Sequence, residues 1–381
     1  MTDLARRHEV SSLSLVNPAE SHEHSVEATG AYCREVVTVP NAPFALPLKG
    51  KRTLQLRSLG SRRSFEWFQH VTPGLAERLR EMLARVRYDV VNFEFMHMAP
   101  YRWMLGQAAV GPRYVLDEHN IEYEILRRTA QSESGLVRRF YNAVNWRKLR
   151  AEELKAWRMF DGCSVTSMHD RDLLLRDLPD TRIAIVPNAV DLDYFRPRAE
   201  APPPEPLSII FFGAINYFPN SDGLTYFLEE IYPRVRARVP GAKLNVVGHT
   251  PEHLFALGND HIAMKGFVPD VRVEVERAAA VIAPLRIGGG TRLKILEAMA
   301  MGKPTVSTPQ GAEGLEVTHD KELLLADTPA AFADQLVRVL EDAALARRLG
   351  QAARQLVEQR YGWPASAARL ESLYEQVGAG A

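Results

Sequence analysis

Short runs of β-branched and other apolar residues alternate with longer amphipathic stretches along nearly the whole chain, and this alternation restricts the fold more than any other feature. A strand covered on both faces reads as a continuous apolar run, and its parallel neighbour is reached only through a crossover, usually a helix. The pattern predicts doubly wound α/β structure. In the first half, residues 10–16, 35–39, 90–95, 114–116, 162–166 and 183–186 read as strands. Residues 73–87, 136–158 and 169–177 read as helices, the last beginning beside Ser167 as a cap. The second half repeats the grammar with strands at 208–212, 243–247, 262–264, 280–283 and 305–307 and helices near 223–239 and 270–278.

A chain of 381 residues exceeds what one core usually serves, so two domains are expected. Prolines cannot sit inside a helix or a central strand, which makes RAEAPPPEP at 198–206 the linker. The division reads 1–197, linker 198–206, 207–362, and a terminal helical run 363–381 that crosses back to the first domain or lies across either one. A doubly wound domain ordinarily opens with its central strand and a glycine-rich turn. Here LARRHEV reads as the end of a helix, so that strand and loop are expected to be missing from the start, with the site either completed upstream or damaged.

Lys plus Arg and Asp plus Glu both number 47, so no overall charge excess argues for nucleic acid as a partner. Cys33 and Cys163 are far apart without CxxC spacing, which excludes a zinc-finger site, and both read as buried small hydrophobes. The apolar run 278–285 is far shorter than the roughly 20 residues needed to span a bilayer, and the first residues lack an apolar signal segment. The expected location is cytoplasmic, with peripheral contact at the inner face of the membrane as a second expectation. Its basis is the basic residues Lys49, Lys51, Arg52, Arg57, Arg62 and Arg63, and then Arg138, Arg139, Arg147, Lys148 and Arg150 among aromatics. A solvated charged face is the plainer reading of both runs.

The densest functional signal is PLRIGGGTRLKILEAMAMG at 284–302. A glycine loop between a strand and a helix presents bare amide N–H groups and the positive end of a helix dipole to an anion. Arg292 and Lys294 add charge in the first turns, and Glu297 could accept from two ribose hydroxyls. Phosphate plus ribose means a nucleotide. The GK[ST] ending of a Walker loop is absent, and so is GxGxxG followed by an acidic strand end, so P-loop ATPases and dinucleotide dehydrogenases fall.

With LEAMAMGKPTVST the chain resembles GT-B glycosyltransferases of the retaining family 4 type, and FFGAINYFPN at 211–220 and GFVPD at 266–270 agree. The resemblance implies two doubly wound Rossmann-like domains facing a central cleft, a nucleotide diphosphate sugar as donor, a glycan or lipid-linked acceptor, retention, and no metal. It implies that Glu297 binds ribose and that Arg292, Lys294, Thr291 and the amides of Gly288, Gly289 and Gly290 hold the diphosphate. Gly213 and Asn216 belong to the facing turn, and Val268 touches the base. His119, in LDEHNIEYE, would face the donor sugar and acceptor, and His97 is a weaker candidate for the acceptor wall. The chain departs from the family pattern in two places. Gly289 stands where a glutamate contacts the sugar, and Asn216, Tyr217 and Asn220 stand in the turn where many relatives carry an arginine and a lysine against the phosphates. Gly289 and the missing first strand motivate the alternative of a nucleotide-binding or assembly subunit with impaired catalysis; a nucleotide-sugar epimerase is a third reading.

Overall fold

The computed structural model describes residues 1–106, 111–133, 135–198, 200, 202–287 and 291–378. The chain divides into two compact units, one of Met1–Val186 with Ala367–Ala381 and one of Pro187–Ser366.

In the first unit β1 (Ser11–Val16) pairs in parallel with β2 (Glu35–Pro40), and a separate parallel sheet holds β3 (Val90–Glu94), β4 (Arg113–Glu118), β5 (Gly162–Val165) and β6 (Ile183–Ile185) in that order. The strand read at 114–116 is longer on both sides, because Arg113 and Asp117 also join the ladder to β3. Its core gathers Leu75 and Leu79 of the helix Pro73–Arg85, Phe93, Leu116, Cys163 and Leu174 around the fully buried Trp157. From Ala367 on, the terminal helix belongs to this unit, where Leu370, Leu373 and Val377 pack on Val115 and Leu4. A Cβ on Gly162 would come within 2.8 Å of Val377, so the glycine lets β5 and the helix approach this closely.

The second unit is built on one parallel sheet. Its strands are β7 (Ser208–Phe212), β8 (Lys243–Val247), β9 (Ile262–Gly266), β10 (Ala280–Ala283), β11 (Thr305–Ser307) and β12 (Leu324–Leu325), in the order β12-β11-β10-β7-β8-β9. The chain runs outward from β7 through β8 and β9, then returns to the other side of β7 with β10. A crevice at such a reversal, outside the carboxyl ends of the two central strands, is where open parallel sheets bind ligands. The segment read as a linker is fastened to this unit, with Arg198 paired to the Glu276 carboxylate and Glu205 N–H donating to Arg277 O at 2.8 Å.

Several helices were not read from the sequence, among them Leu48–Leu59, Phe65–His70, Glu122–Ser132, Pro329–Glu341 and Ala343–Arg360. The helix read at 223–239 begins earlier, at Phe218, because Pro219 occupies a first-turn position where its missing N–H costs nothing. Further along, Pro233 is accommodated after a π-type turn at Phe227–Ile231, which relieves the clash a proline ring makes with the preceding turn. No described helix is long and apolar enough to cross a membrane.

Candidate functional site

In the second unit the crevice beside β7 is shaped by Gly213 and Gly248. Both have φ near +130°, and a Cβ on Gly248 would lie 1.8 Å from Gly213 O. Only glycine permits the ends of β7 and β8 to turn at this separation. The following turn carries Asn216, whose N–H donates to His249 O at 2.9 Å, and leads into the helix Phe218–Tyr226. Across the crevice, Arg292 is the N-cap of the helix Leu293–Ala300. That helix buries Ile295, Leu296, Met299 and Ala300 in the core, which turns Lys294 and Glu297, three positions apart, the other way.

Lys294 joins the two sides. Its Nζ donates to Asn220 Oδ1 at 2.7 Å, lies 4.4 Å from the centre of the Phe211 ring, and would meet a Cβ on Gly213 at 3.3 Å. Burial, and then the charge of Arg292, brings its pKa down to about 7. The Glu297 carboxyl is pushed up by burial and drawn back by Lys294. Asn220, read from sequence as a lost phosphate contact, is the amide that seats this lysine, with its Nδ2 donating to Ala214 O at 2.7 Å. Thr291 is buried at the foot of the same helix. The side chain of Val268 packs against the core cluster of Phe212, Val247 and Val275, which leaves its backbone for any contact with a base. Gly288, Gly289 and Gly290 lie outside the described residues.

In the first unit the carboxyl ends of β3 and β4 carry a different cluster. His119 Nε2 meets Glu94 Oε2 at 2.8 Å and lies 3.7 Å from Asp117 Oδ2. Its ring stacks on Phe95 with centroids 4.1 Å apart. Phe95 has φ of +67°, a conformation that costs a bulky residue about 1–3 kcal/mol, and its N–H is held by Asp117 O at 2.8 Å. Burial lowers the His119 pKa, but the Glu94 hydrogen bond and the charges of Asp117, Glu94 and Glu122 outweigh it, so the net shift is upward. Glu94 and Phe95 were not singled out from the sequence. Their only signal is position at the end of a strand whose parallel neighbour carries the histidine.

The carboxyls beneath are proton-holding. Burial and then Glu94 push Asp117 up to about 6, while Ser164 Oγ donates to its Oδ1 at 2.8 Å. Burial pushes Glu118 up to about 8 and Glu122 to about 7, and Trp157 Nε1 donates to Glu118 Oε1 at 2.8 Å. His97 is stacked on His70 at 4.3 Å, and burial lowers its pKa to about 3, so it stays neutral as packing material. Glu94, Asp117 and His119 each offer a ligand atom within 4.8 Å of the others, an arrangement that could receive a cation at the expense of the Glu94–His119 bond.

The profile described as Glycosyltransferase Family 4 matches residues 2–194, over half of the chain, and that described as Glycosyl transferases group 1 matches 206–342. The chain belongs to glycosyltransferase family 4. Among curated family members it is 26% identical over 228 residues to a phosphatidylinositol N-acetylglucosaminyltransferase subunit of Arabidopsis thaliana, covering 56% of this chain and 48% of that protein. It is 29% identical over 217 residues to the GDP-mannose-dependent alpha-(1-6)-phosphatidylinositol monomannoside mannosyltransferase of Mycobacterium tuberculosis, covering 50% and 55%. The chain thus spans about half the length of the curated relatives it matches. Among solved structures, sucrose-phosphate synthase from Thermosynechococcus elongatus superposes with a TM-score of 0.68 at 18% identity, covering 98% of this chain and 100% of that one. The fold is the α/β GT-B type.

Proposed function

We propose that this family 4 protein moves a hexosyl-type sugar from a nucleotide diphosphate sugar to a hydroxyl of a glycan or lipid-linked acceptor, with retention of configuration, at the cytoplasmic side of a membrane. Lys294 carries the reading. An ammonium group withdrawn from water into the strand-reversal crevice, with an amide and an aromatic face as its contacts, is destabilised until an anion arrives. A departing nucleoside diphosphate supplies that anion, and Arg292 beside it adds a guanidinium able to grip phosphate with two parallel bonds. Fixed cations then take the leaving-group charge, and the reading assigns that role to no metal or other cofactor. Glu297, on the same helix face, accepts from the ribose hydroxyls.

His119 is the residue proposed to face the donor sugar and acceptor. Its support is its position beyond the carboxyl end of β4 and its pairing with Glu94. The names of the relatives from A. thaliana and M. tuberculosis, which carry phosphatidylinositol and in one case GDP-mannose, support a nucleotide sugar donor and a lipid acceptor.

Calorimetric titration of the protein with UDP and with GDP tests the reading. One of them binds, Glu297→Ala weakens that binding, and Arg292→Ala reduces turnover more than it reduces affinity for the bare nucleoside. Equal affinity of wild type and both variants for each nucleotide would remove this crevice as the donor site.

A further inference from the structure

The first unit carries a helical hairpin that follows His119 in the chain. The helices Glu122–Ser132 and Leu136–Trp157 form an antiparallel hairpin, and the Glu153 carboxylate accepts from Glu122 N–H and Tyr123 N–H at 3.0 Å each. Glu153 is therefore level with the end of β4. From there back to Leu136 the helix runs about 25 Å at 1.5 Å per residue. The helix Leu48–Leu59 lies alongside, with Ser58 Oγ and Tyr141 Oη 3.1 Å apart and Lys148 Nζ donating to Ser58 O at 2.7 Å.

The outer surface of this lobe is apolar and basic together. Every residue from Gly135 to Phe140 is exposed, with Leu136 at 80%, Val137 at 84% and Phe140 at 65%, and Leu48 and Leu56 on the neighbouring helix are 77% and 70% exposed. Four cations and no acid lie in 48–59, and five cations and no acid in 136–150, in a chain whose total charges balance at 47 each. Among the described residues no carboxylate lies within ion-pair distance of Lys49, Lys51, Arg52 or Arg139.

We infer that this lobe is a docking surface for an anionic lipid bilayer, which it enters with Leu136, Val137 and Phe140 while the surrounding lysines and arginines lie at the head groups. Exposed leucines and valines have no counterpart on a nucleic acid backbone, and the like charges oppose pairing with a second copy of the same face. An interface with an apolar interior below a layer of negative charge satisfies both features. That the acceptor offered to His119 is lipid-linked rests on the proposed transfer reaction; the surface itself does not.

Co-sedimentation with vesicles tests the inference. The protein pellets with phosphatidylcholine vesicles containing phosphatidylglycerol, far less with phosphatidylcholine alone, and salt releases it. Reversing three charges in K51E/R52E/R139E lowers partitioning about a hundredfold, at roughly fivefold per cation. Leu136→Asp with Phe140→Asp lowers it even in low salt. Both variants keep the wild-type circular dichroism and nucleotide affinity, because the altered side chains are exposed and far in sequence from Lys294. Absence of pelleting with either vesicle, undiminished pelleting of both variants, or displacement from anionic vesicles by RNA that itself binds more tightly would overturn the inference. Loss of nucleotide binding with intact pelleting would instead count against the transfer reading alone.

Discussion

The two units place charge at their strand ends in opposite senses. In the second, cations are drawn out of water at the crevice beside β7, and Lys294 is half neutral near pH 7 in consequence. In the first, acids are buried, and Asp117, Glu118 and Glu122 all hold protons to higher pH than carboxyls ordinarily do. One edge gathers buried cations, and the other sets a histidine among carboxyls that burial makes less acidic. One sheet architecture accommodates both arrangements because side chains at strand ends are free to differ while the buried strands are not.

The anion side depends on backbone geometry more than on any side chain, and its largest expected failure comes from there. Gly248→Ala adds a Cβ that would sit 1.8 Å from Gly213 O, at a φ that only glycine adopts freely. Strain and overpacking together should remove roughly 3 kcal/mol or more. Denaturant melts and nucleotide titration are expected to show a destabilised protein with no measurable nucleotide affinity. A folded variant that binds as well as wild type would mean that the close approach of β7 and β8 is not what shapes the crevice.

The same contrast explains what could be read from the sequence. The strands at 208–212, 243–247, 280–283 and 305–307 have the bounds the sequence pattern implied, because a central parallel strand is apolar on both faces and stops where its neighbours stop. Arg292, Lys294 and Glu297 were legible since one helix carries them all. The helix Glu122–Ser132 was hidden inside a polar cluster, because its first turn is anchored by Glu153, 31 positions after Glu122. Glu94 lies 25 positions from His119, and nothing local announces that parallel pairing brings them together. Phe95 was illegible for a further reason, since a positive φ at a phenylalanine contradicts its own propensity and is imposed by the Asp117 backbone.

The acid side predicts an intermediate effect on stability. A carboxyl whose folded pKa lies above its unfolded value keeps its proton in the fold while the unfolded chain ionises, so stability is full at low pH and is lost as pH rises. For Glu118 the window runs from about 4.5 to about 8, and Asp117 and Glu122 act in the same direction over narrower spans. Melting temperature should fall across that range. Glu118→Gln retains an oxygen to accept from Trp157 and has no charge to bury, so it should flatten the slope and add roughly 1–3 kcal/mol near pH 8. A variant less stable than wild type at pH 8 would show that the carboxyl contributes something an amide does not.

The smallest effect belongs to the anion side and reports on ligand rather than fold. With the Lys294 pKa near 7 in the free protein, a bound diphosphate favours the ammonium form and raises that value. Binding then takes up a proton above neutral pH, and affinity falls by up to about tenfold per pH unit until the pKa of the complex is reached. Calorimetry in buffers of different ionisation enthalpy counts the proton directly. Lys294→Met should abolish the uptake and leave affinity level from pH 7 upward, since its thioether fills the same space over Phe211 without titrating. Persistent uptake in that variant would assign the proton to another group and leave Lys294 charged in the empty crevice.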